Sequence, residues 1–177
     1  MMRFIKNFRG DKRGVSAIEF ALVVGPMVFT FFGVAEIANY ILVGRKVANI
    51  ASTAADLVTQ DTAINDGEMD DIMGALDVIL RPFSPEEAKI TITQIVADSD
   101  GDVTVDWSDA RNTSPRVQGE PAPSWVPDDI VPNNQGVIMT EVEFTYTTLF
   151  GMYLTDGMTV RDVFYLKPRR STSVDRQ

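Results

Sequence analysis

The sequence contains no cysteine and no histidine. These 177 residues therefore offer no disulfide, no thiol nucleophile, no Ser–His pair and none of the usual zinc ligands from Cys and His. Only carboxylate chemistry remains for catalysis, and periodicity places most acids on turns or polar faces. We predict a protein that is not an enzyme and holds no cofactor; a hydrolase with two catalytic carboxylates is the alternative.

Charge is distributed unevenly along the chain, whose net charge is −9. Residues 1–14 carry five bases and one acid, a charge of +4 that leaves −13 for the rest. An acidic body repels phosphate, so we predict no nucleic-acid partner. A basic head before an apolar segment is typical of a membrane protein whose N-terminus stays cytoplasmic and whose body is exported.

The longest uncharged run is the sixteen-residue segment from Phe20 to Ala35. As a helix it spans about 24 Å, slightly less than the roughly 30 Å hydrocarbon core of a bilayer. Inclusion of the flanking residues gives sufficient length, with Glu19 and Glu36 near the two ends, where a charge costs less. The pattern predicts a single membrane-spanning helix.

Three interpretations of this segment are open. It is a plain signal anchor, a secretory signal cleaved before Glu36 at the small residues Gly33 and Ala35, or a prepilin-type signal cut before the apolar run. In the third case cleavage follows Gly14, and Glu19 becomes the fifth residue of the mature chain. A basic leader, a glycine, four residues, a glutamate, an aromatic residue and an apolar helix resemble the type IV prepilin signature.

The segment GVSAIEFALVVGPMVFTFFGVAEIANYILVGRKVANIASTAAD resembles the TadE-like proteins of tight-adherence pilus systems, including Pro26 and Glu36. The final VRDVFYLKPRR resembles the usual end of that family more weakly. The resemblance implies a pseudopilin or minor pilin in the inner membrane with a periplasmic C-terminal domain, possible incorporation into the pilus, and a role in adhesion and biofilm formation. Its partners would be prepilin peptidase, other pilins and pseudopilins, the assembly platform and the lipid bilayer.

The resemblance also implies roles for single residues. Gly14 and Val15 would flank the processed bond, and Glu19, Phe20, Pro26 and Glu36 would serve assembly. Cleavage creates an α-amine at Val15, one helical turn from Glu19, and Glu19 would pair with that amine or with a neighbour's to set the subunit register. The spacing alone permits this role, and an interfacial glutamate is the alternative. Pro26 is either a bending point or a tolerated membrane proline.

Beyond the membrane the pattern predicts an α+β fold. A long helix from Val15 to Thr59 leads to a second helix, capped by Asp66 and stopped at Arg81-Pro82, that packs on an antiparallel sheet of about four strands. Alternation in one strand predicts one buried and one wet face. The first face holds Ile138, Thr140, Val142, Phe144 and Tyr146, and the second holds Met139, Glu141, Glu143 and Thr145. The predicted divisions are a leader 1–14, a transmembrane or assembly helix 15–42, an amphipathic extension 43–60, an exported α+β domain 61–168 with a Pro-rich loop 108–135, and a polar tail 169–177 that we expect to fray.

Two loop features carry weaker hypotheses. The DSDGD turn joins two strands, one of which alternates Val103, Val105 and Trp107. Asp98, Asp100 and Asp102 imitate the start of a calcium loop, but Asp109 replaces the glutamate expected at its end, so a solvated hairpin tip is the prediction. Trp125 either pins the Pro-rich loop, with a short helical turn near 128–130, or anchors a partner. For the whole chain, the alternative to a pilus subunit is a signal-anchored exported binding domain that forms no filament.

Overall fold

The computed structural model describes residues 14–127, 129–147 and 157–177. The leader lies outside the described residues except for Gly14, and so does Asp128 of the predicted turn at 128–130. The chain divides into two compact units, Met1–Asn39 and Tyr40–Gln177, called here the N-terminal and C-terminal units.

Helix α1 runs over Val15–Thr59, which confirms the predicted bounds. Its sequence is rich in Ala, Leu and other apolar residues, and Pro26 is its one internal proline. No described residue of the N-terminal unit is buried. In the C-terminal unit the same helix turns a stripe toward the core, and Val43, Val47, Ile50 and Ala54 of the predicted stripe are fully buried. Leu57 is only half-buried because the inward face continues through Val58 instead.

Helix α2 covers Asp66–Leu80, and its N-cap is Asn65 rather than the predicted Asp66. Asn65 is extended, and its Oδ1 accepts a hydrogen bond from the Glu68 amide at 3.0 Å while Glu68 Oε2 accepts one from the Asn65 amide at 3.0 Å. This reciprocal capping box satisfies two amide donors. The helix stops before Arg81-Pro82 as predicted, because a proline disfavours helical backbone at the preceding residue.

The described residues form six strands, numbered in chain order: β1 Ala63–Ile64, β2 Ala88–Ala97, β3 Val103–Arg111, β4 Gly136–Tyr146, β5 Met158–Leu166 and β6 Asp175–Arg176. Four of them form an antiparallel sheet in the order β3-β2-β4-β5, while β1 and β6 pair in parallel as a separate ribbon. A long apolar helix, a second helix and a four-stranded antiparallel sheet confirm the predicted α+β class.

A bulge in β3 changes which side chains share a face. Trp107 lies opposite Gln94 and Val105 lies opposite Ile95, so Asp106 has no counterpart on β2. One extra residue reverses the alternation. Trp107 therefore packs in the core beneath the helices, whereas Val105 packs in a second cluster, and the expected common face is wrong.

The wet face expected for β4 is only partly wet. Ile138, Val142, Phe144 and Tyr146 face the main core, as predicted, but Met139 on the other face is also fully buried. The proline-rich loop folds over that face and supplies Val126 and Val131 to the second core. This loop begins after Arg111, four residues later than the predicted start at 108, and its residues 129–130 form a turn and bend.

The C-terminal tail is ordered, so the expected fraying is wrong. Val174 is fully buried; its amide donates to Gln94 Oε1 at 2.6 Å and its carbonyl accepts from Trp107 Nε1 at 2.8 Å. Arg176 Nε donates to Asp109 Oδ2 at 2.7 Å. The Asp109 carboxylate, together with that of Asp66, holds the pKa of Arg176 above its usual range. The tail thus closes the open end of the main core.

Candidate functional site

The candidate assembly segment, residues 14–42, begins where α1 begins. The Gly14 carbonyl accepts the first helical hydrogen bond, from the Ile18 amide at 3.1 Å. A Cβ at Gly14 would meet no atom within 4 Å. Gly14 and Val15 are both exposed at the helix start.

Glu19 and Phe20 follow in the second turn, and both are exposed. Phe20 is 69% exposed, and within the described residues Glu19 forms no ion pair. A carboxylate beside an exposed apolar surface is costly in lipid unless it finds a cation or reaches the interface. Within the described residues no ion pair accounts for the position of Glu19.

Pro26 and Glu36 lie farther along the same helix. Pro26 has no amide hydrogen, so it cannot donate to the Leu22 carbonyl, although the helix continues through it. At about 100° per residue, Pro26 shares a face with Glu19, whereas Glu36 lies roughly 100° around the helix from them. The structure thus brings Glu19 and Pro26 onto one stripe and places the half-buried Glu36 on another.

The apolar side chains of this segment are exposed. Leu22, Phe29 and Phe31 are 69%, 73% and 69% exposed. Among the described residues, α1 is the one helix long and apolar enough to cross a membrane. An apolar surface of this extent requires lipid or another protein as its neighbour.

The DSDGD turn uses one of its carboxylates internally. Asp98 Oδ1 accepts from the Asp100 and Asp102 amides, each at 2.9 Å, and Gly101 has a φ of +93° that favours glycine. No cluster of three acidic side chains able to hold a metal occurs in the described parts of the chain. The turn places Asp98 as an acceptor for backbone amides.

A charged cluster on the second face of the sheet escaped the sequence reasoning. Glu141 on β4 accepts from Arg116 Nη2 of the loop and from Arg161 Nη2 of β5, both at 2.7 Å. The Trp125 ring lies over the Arg161 guanidinium at 4.8 Å, as in a cation–π contact. Burial, together with the Glu141 carboxylate, raises the pKa of Tyr165 in this cluster.

This arrangement pins the proline-rich loop to the sheet through Arg116 and Trp125. It agrees with the pinning alternative for Trp125, whose ring nevertheless stays 40% exposed. A loop arginine and a strand glutamate 25 residues apart form no local pattern, so their contact could not be predicted from periodicity.

Residues 14–56 match the family model described as TadE-like protein. Neither the curated proteins nor the solved structures contain a match. The matched segment covers the candidate assembly segment and most of the remainder of α1. A TadE-like protein is a structural, non-enzymatic kind of protein that interacts with other pilus components, and the single apolar N-terminal helix fits a membrane anchor. Over residues 14–56 the chain is therefore similar to the TadE-like proteins of Tad pilus systems.

Proposed function

We propose that this chain is a pseudopilin or minor pilin that prepilin peptidase processes between Gly14 and Val15. The carrying observation is the exposed apolar part of α1, which starts at Val15 and lies within the TadE-like match. Most of its large apolar side chains are exposed, so an apolar surface of this length needs lipid or another protein as its neighbour.

Glu19 sets the register of the subunit in this proposal. Processing creates an α-amine at Val15, with an ordinary pKa of about 7.7–8.0, so the amine is mostly protonated at neutral pH. Glu19 lies one turn away and pairs with that amine or with a neighbouring subunit's amine. A misplaced subunit would leave the carboxylate unpaired in a low-dielectric bundle, which is strongly unfavourable.

Pro26 and Glu36 contribute in different ways. The missing amide at Pro26 loosens the helix at the Leu22 carbonyl, so the segment bends or extends there when subunits pack. Glu36 lies near the distal end of the apolar run and faces a different direction from Glu19, so it contacts a different neighbour. Phe20 adds apolar contact beside Glu19.

The location follows from charge and length. The basic leader stays cytoplasmic, α1 anchors the chain in the inner membrane, and residues 61–168 fold outside as the exported domain. A globular domain of this bulk at every position would thicken a fibre, so a minor or priming position fits better than a major subunit. Adhesion and biofilm formation would follow from the pilus.

The test replaces Gly14 with alanine in a host that makes tight-adherence pili. A Cβ meets no atom within 4 Å at Gly14 or at Gly25, so Gly25→Ala is a matched control for an added methyl group. We expect Gly14→Ala to accumulate as the longer, unprocessed chain and to lose pili, with Gly25→Ala processed normally. Immunoblot mobility and pilus counts by electron microscopy report the two outcomes.

Normal processing and normal pili in Gly14→Ala would contradict the proposal. Unprocessed wild-type protein in a host with active peptidase would favour the alternative, a membrane-anchored binding domain that forms no filament. Because the substitution lies outside the C-terminal unit, a folding defect does not explain either result.

A further inference from the structure

One end of the C-terminal unit gathers features that suit a lipid surface. Lys46 Nζ of α1 donates to the Ile79 carbonyl of α2 at 2.7 Å, which places the last turn of α2 beside the start of the buried part of α1. Val78 in that turn is 61% exposed, and Ile41 and Leu42, about one turn before Lys46, are also exposed. Arg45 and Arg81 flank these apolar side chains and are exposed as well.

The sheet contributes to the same end. Phe83, two residues after Arg81, packs edge-to-face on Phe144 and Tyr146 of β4, with ring centroids 5.9 and 6.0 Å apart. Tyr146 pairs with Met158, the exposed first residue of β5. We call this end the proximal surface, and it comprises Ile41, Leu42, Arg45, Val78, Arg81 and Met158.

The proximal surface and the opposite end of the C-terminal unit differ in charge. Glu86 and Glu87 are exposed acids near the start of β2, and the exposed Arg45 and Arg81 equal them in number, while Lys89 pairs with Glu143 at 3.1 Å. At the other end of β2, about 33 Å away at roughly 3.3 Å per residue, lies the DSDGD turn. The first turns of α2 also lie away from Lys46 and carry further exposed acids: Asp66, Glu68, Asp70 and Asp71.

We propose that the proximal surface lies on the bilayer, with its apolar side chains at headgroup depth and Arg45 and Arg81 on lipid phosphates. The inference rests on the proposed function, because it requires α1 to span the membrane. Lipid is the expected neighbour of this surface, because Ile41 and Leu42 continue the exposed apolar run of α1 into the C-terminal unit. The acidic opposite end would be repelled by anionic lipid, which fixes the orientation.

The absence of cysteine makes a depth measurement direct. We would prepare full-length Val78→Cys, Val117→Cys and Phe29→Cys, label each with NBD, and reconstitute them in nanodiscs that contain brominated lipids and phosphatidylglycerol. Val117 is the matched control, since it is a valine with 62% exposure against 61% for Val78, but its loop pairs with Val105 toward the opposite end.

We expect strong quenching at position 29, about half of it at position 78, and near-background quenching at position 117. The double change Arg45→Glu with Arg81→Glu should lower quenching at position 78 about twofold and leave position 29 unchanged.

Quenching at position 29 with none at position 78 would overturn the inference and leave the membrane anchor intact. No quenching at position 29 would contradict the anchor, and with it the proposed function. A label at position 78 that is shielded from aqueous iodide yet unquenched by brominated lipid would show a protein neighbour and would also overturn the inference. Equal quenching at positions 78 and 117 would do so as well, because the dye itself would then drive insertion.

Discussion

The two parts of helix α1 differ in what their apolar side chains contact. In the N-terminal unit Leu22, Phe29 and Phe31 are mostly exposed, whereas in the C-terminal unit Val47 and Ile50 are fully buried. The helix is continuous, and the residue types are similar. The apolar side chains of the first part therefore need lipid or another protein as a neighbour, whereas those of the second part pack within their own domain.

Polar groups show the same contrast. In the C-terminal unit the buried Gln94 bonds both Asp106 and the Val174 amide, and the Asn65 cap is reciprocated by Glu68. In the N-terminal unit Glu19 has no ion partner among the described residues. The assembly role proposed for Glu19 would give this carboxylate a partner from outside the described residues.

The largest expected effect separates the two parts of α1 directly. Ile50→Ala should lower the free energy of unfolding by about 2–5 kcal/mol, because it leaves a cavity in the core. Phe29→Ala should change it by less than about 0.5 kcal/mol, since the ring packs on nothing in its unit. Urea unfolding in detergent micelles, followed by tryptophan fluorescence, measures both; equal losses would break the comparison.

The next effect sharpens the account of the C-terminal unit. Gln94→Ala should destabilise it by about 1–3 kcal/mol, because the buried Val174 amide loses its acceptor. Gln60→Ala is the control, since Gln60 is exposed and bonds only Asp56 on the surface. Hydrogen exchange should show faster exchange at residues 172–177 in the first variant alone. Unchanged exchange would mean that the tail does not depend on Gln94.

Glu19→Ala tests whether a polar group of the N-terminal unit serves assembly rather than the stability of the domain. We expect pilus number to fall about tenfold, equivalent to roughly 1.4 kcal/mol in assembly, with no change in domain stability. Glu19→Asp should restore part of the loss because it keeps the carboxylate. Normal piliation in Glu19→Ala would reduce Glu19 to an interfacial side chain.

The smallest effect distinguishes two adjacent residues. Asn65→Ala should cost about 1 kcal/mol through loss of the helix cap. Asp66→Ala should cost less than about 0.5 kcal/mol, because the Asp66 side chain is 91% exposed and its partner Arg176 keeps its ion pair with Asp109. Chemical unfolding of both variants measures the two losses in stability. A larger loss for Asp66→Ala than for Asn65→Ala would mean that Asp66 is the helix cap.

Local periodicity predicted much of the fold. The bounds of α1, the stop of α2 and the main buried face of β4 follow from patterns within single elements. The bulge at Asp106, the ordered tail and the second core under the loop do not, because each depends on contacts between distant segments. Val174, for example, is held by Gln94, eighty residues earlier.

Some features of the candidate sites were likewise predictable from local sequence, and others were not. The sequence pattern placed Gly14 just before an apolar helix and placed Glu19 and Pro26 within it, since helical periodicity is local. The Glu141 cluster was missed, because alternation alone placed Glu141 on a wet face and said nothing of Arg116. Processing and register depend on partners outside the chain, so they remain predictions.

The central claim is that the mature chain begins at Val15. The most direct measurement is the intact mass of the protein extracted from native membranes, together with N-terminal sequencing. A chain that begins at Val15 is the expected result, and it would give Glu19 its neighbouring amine. A chain that begins at Glu36, or an uncleaved chain from a host with active prepilin peptidase, would contradict the account.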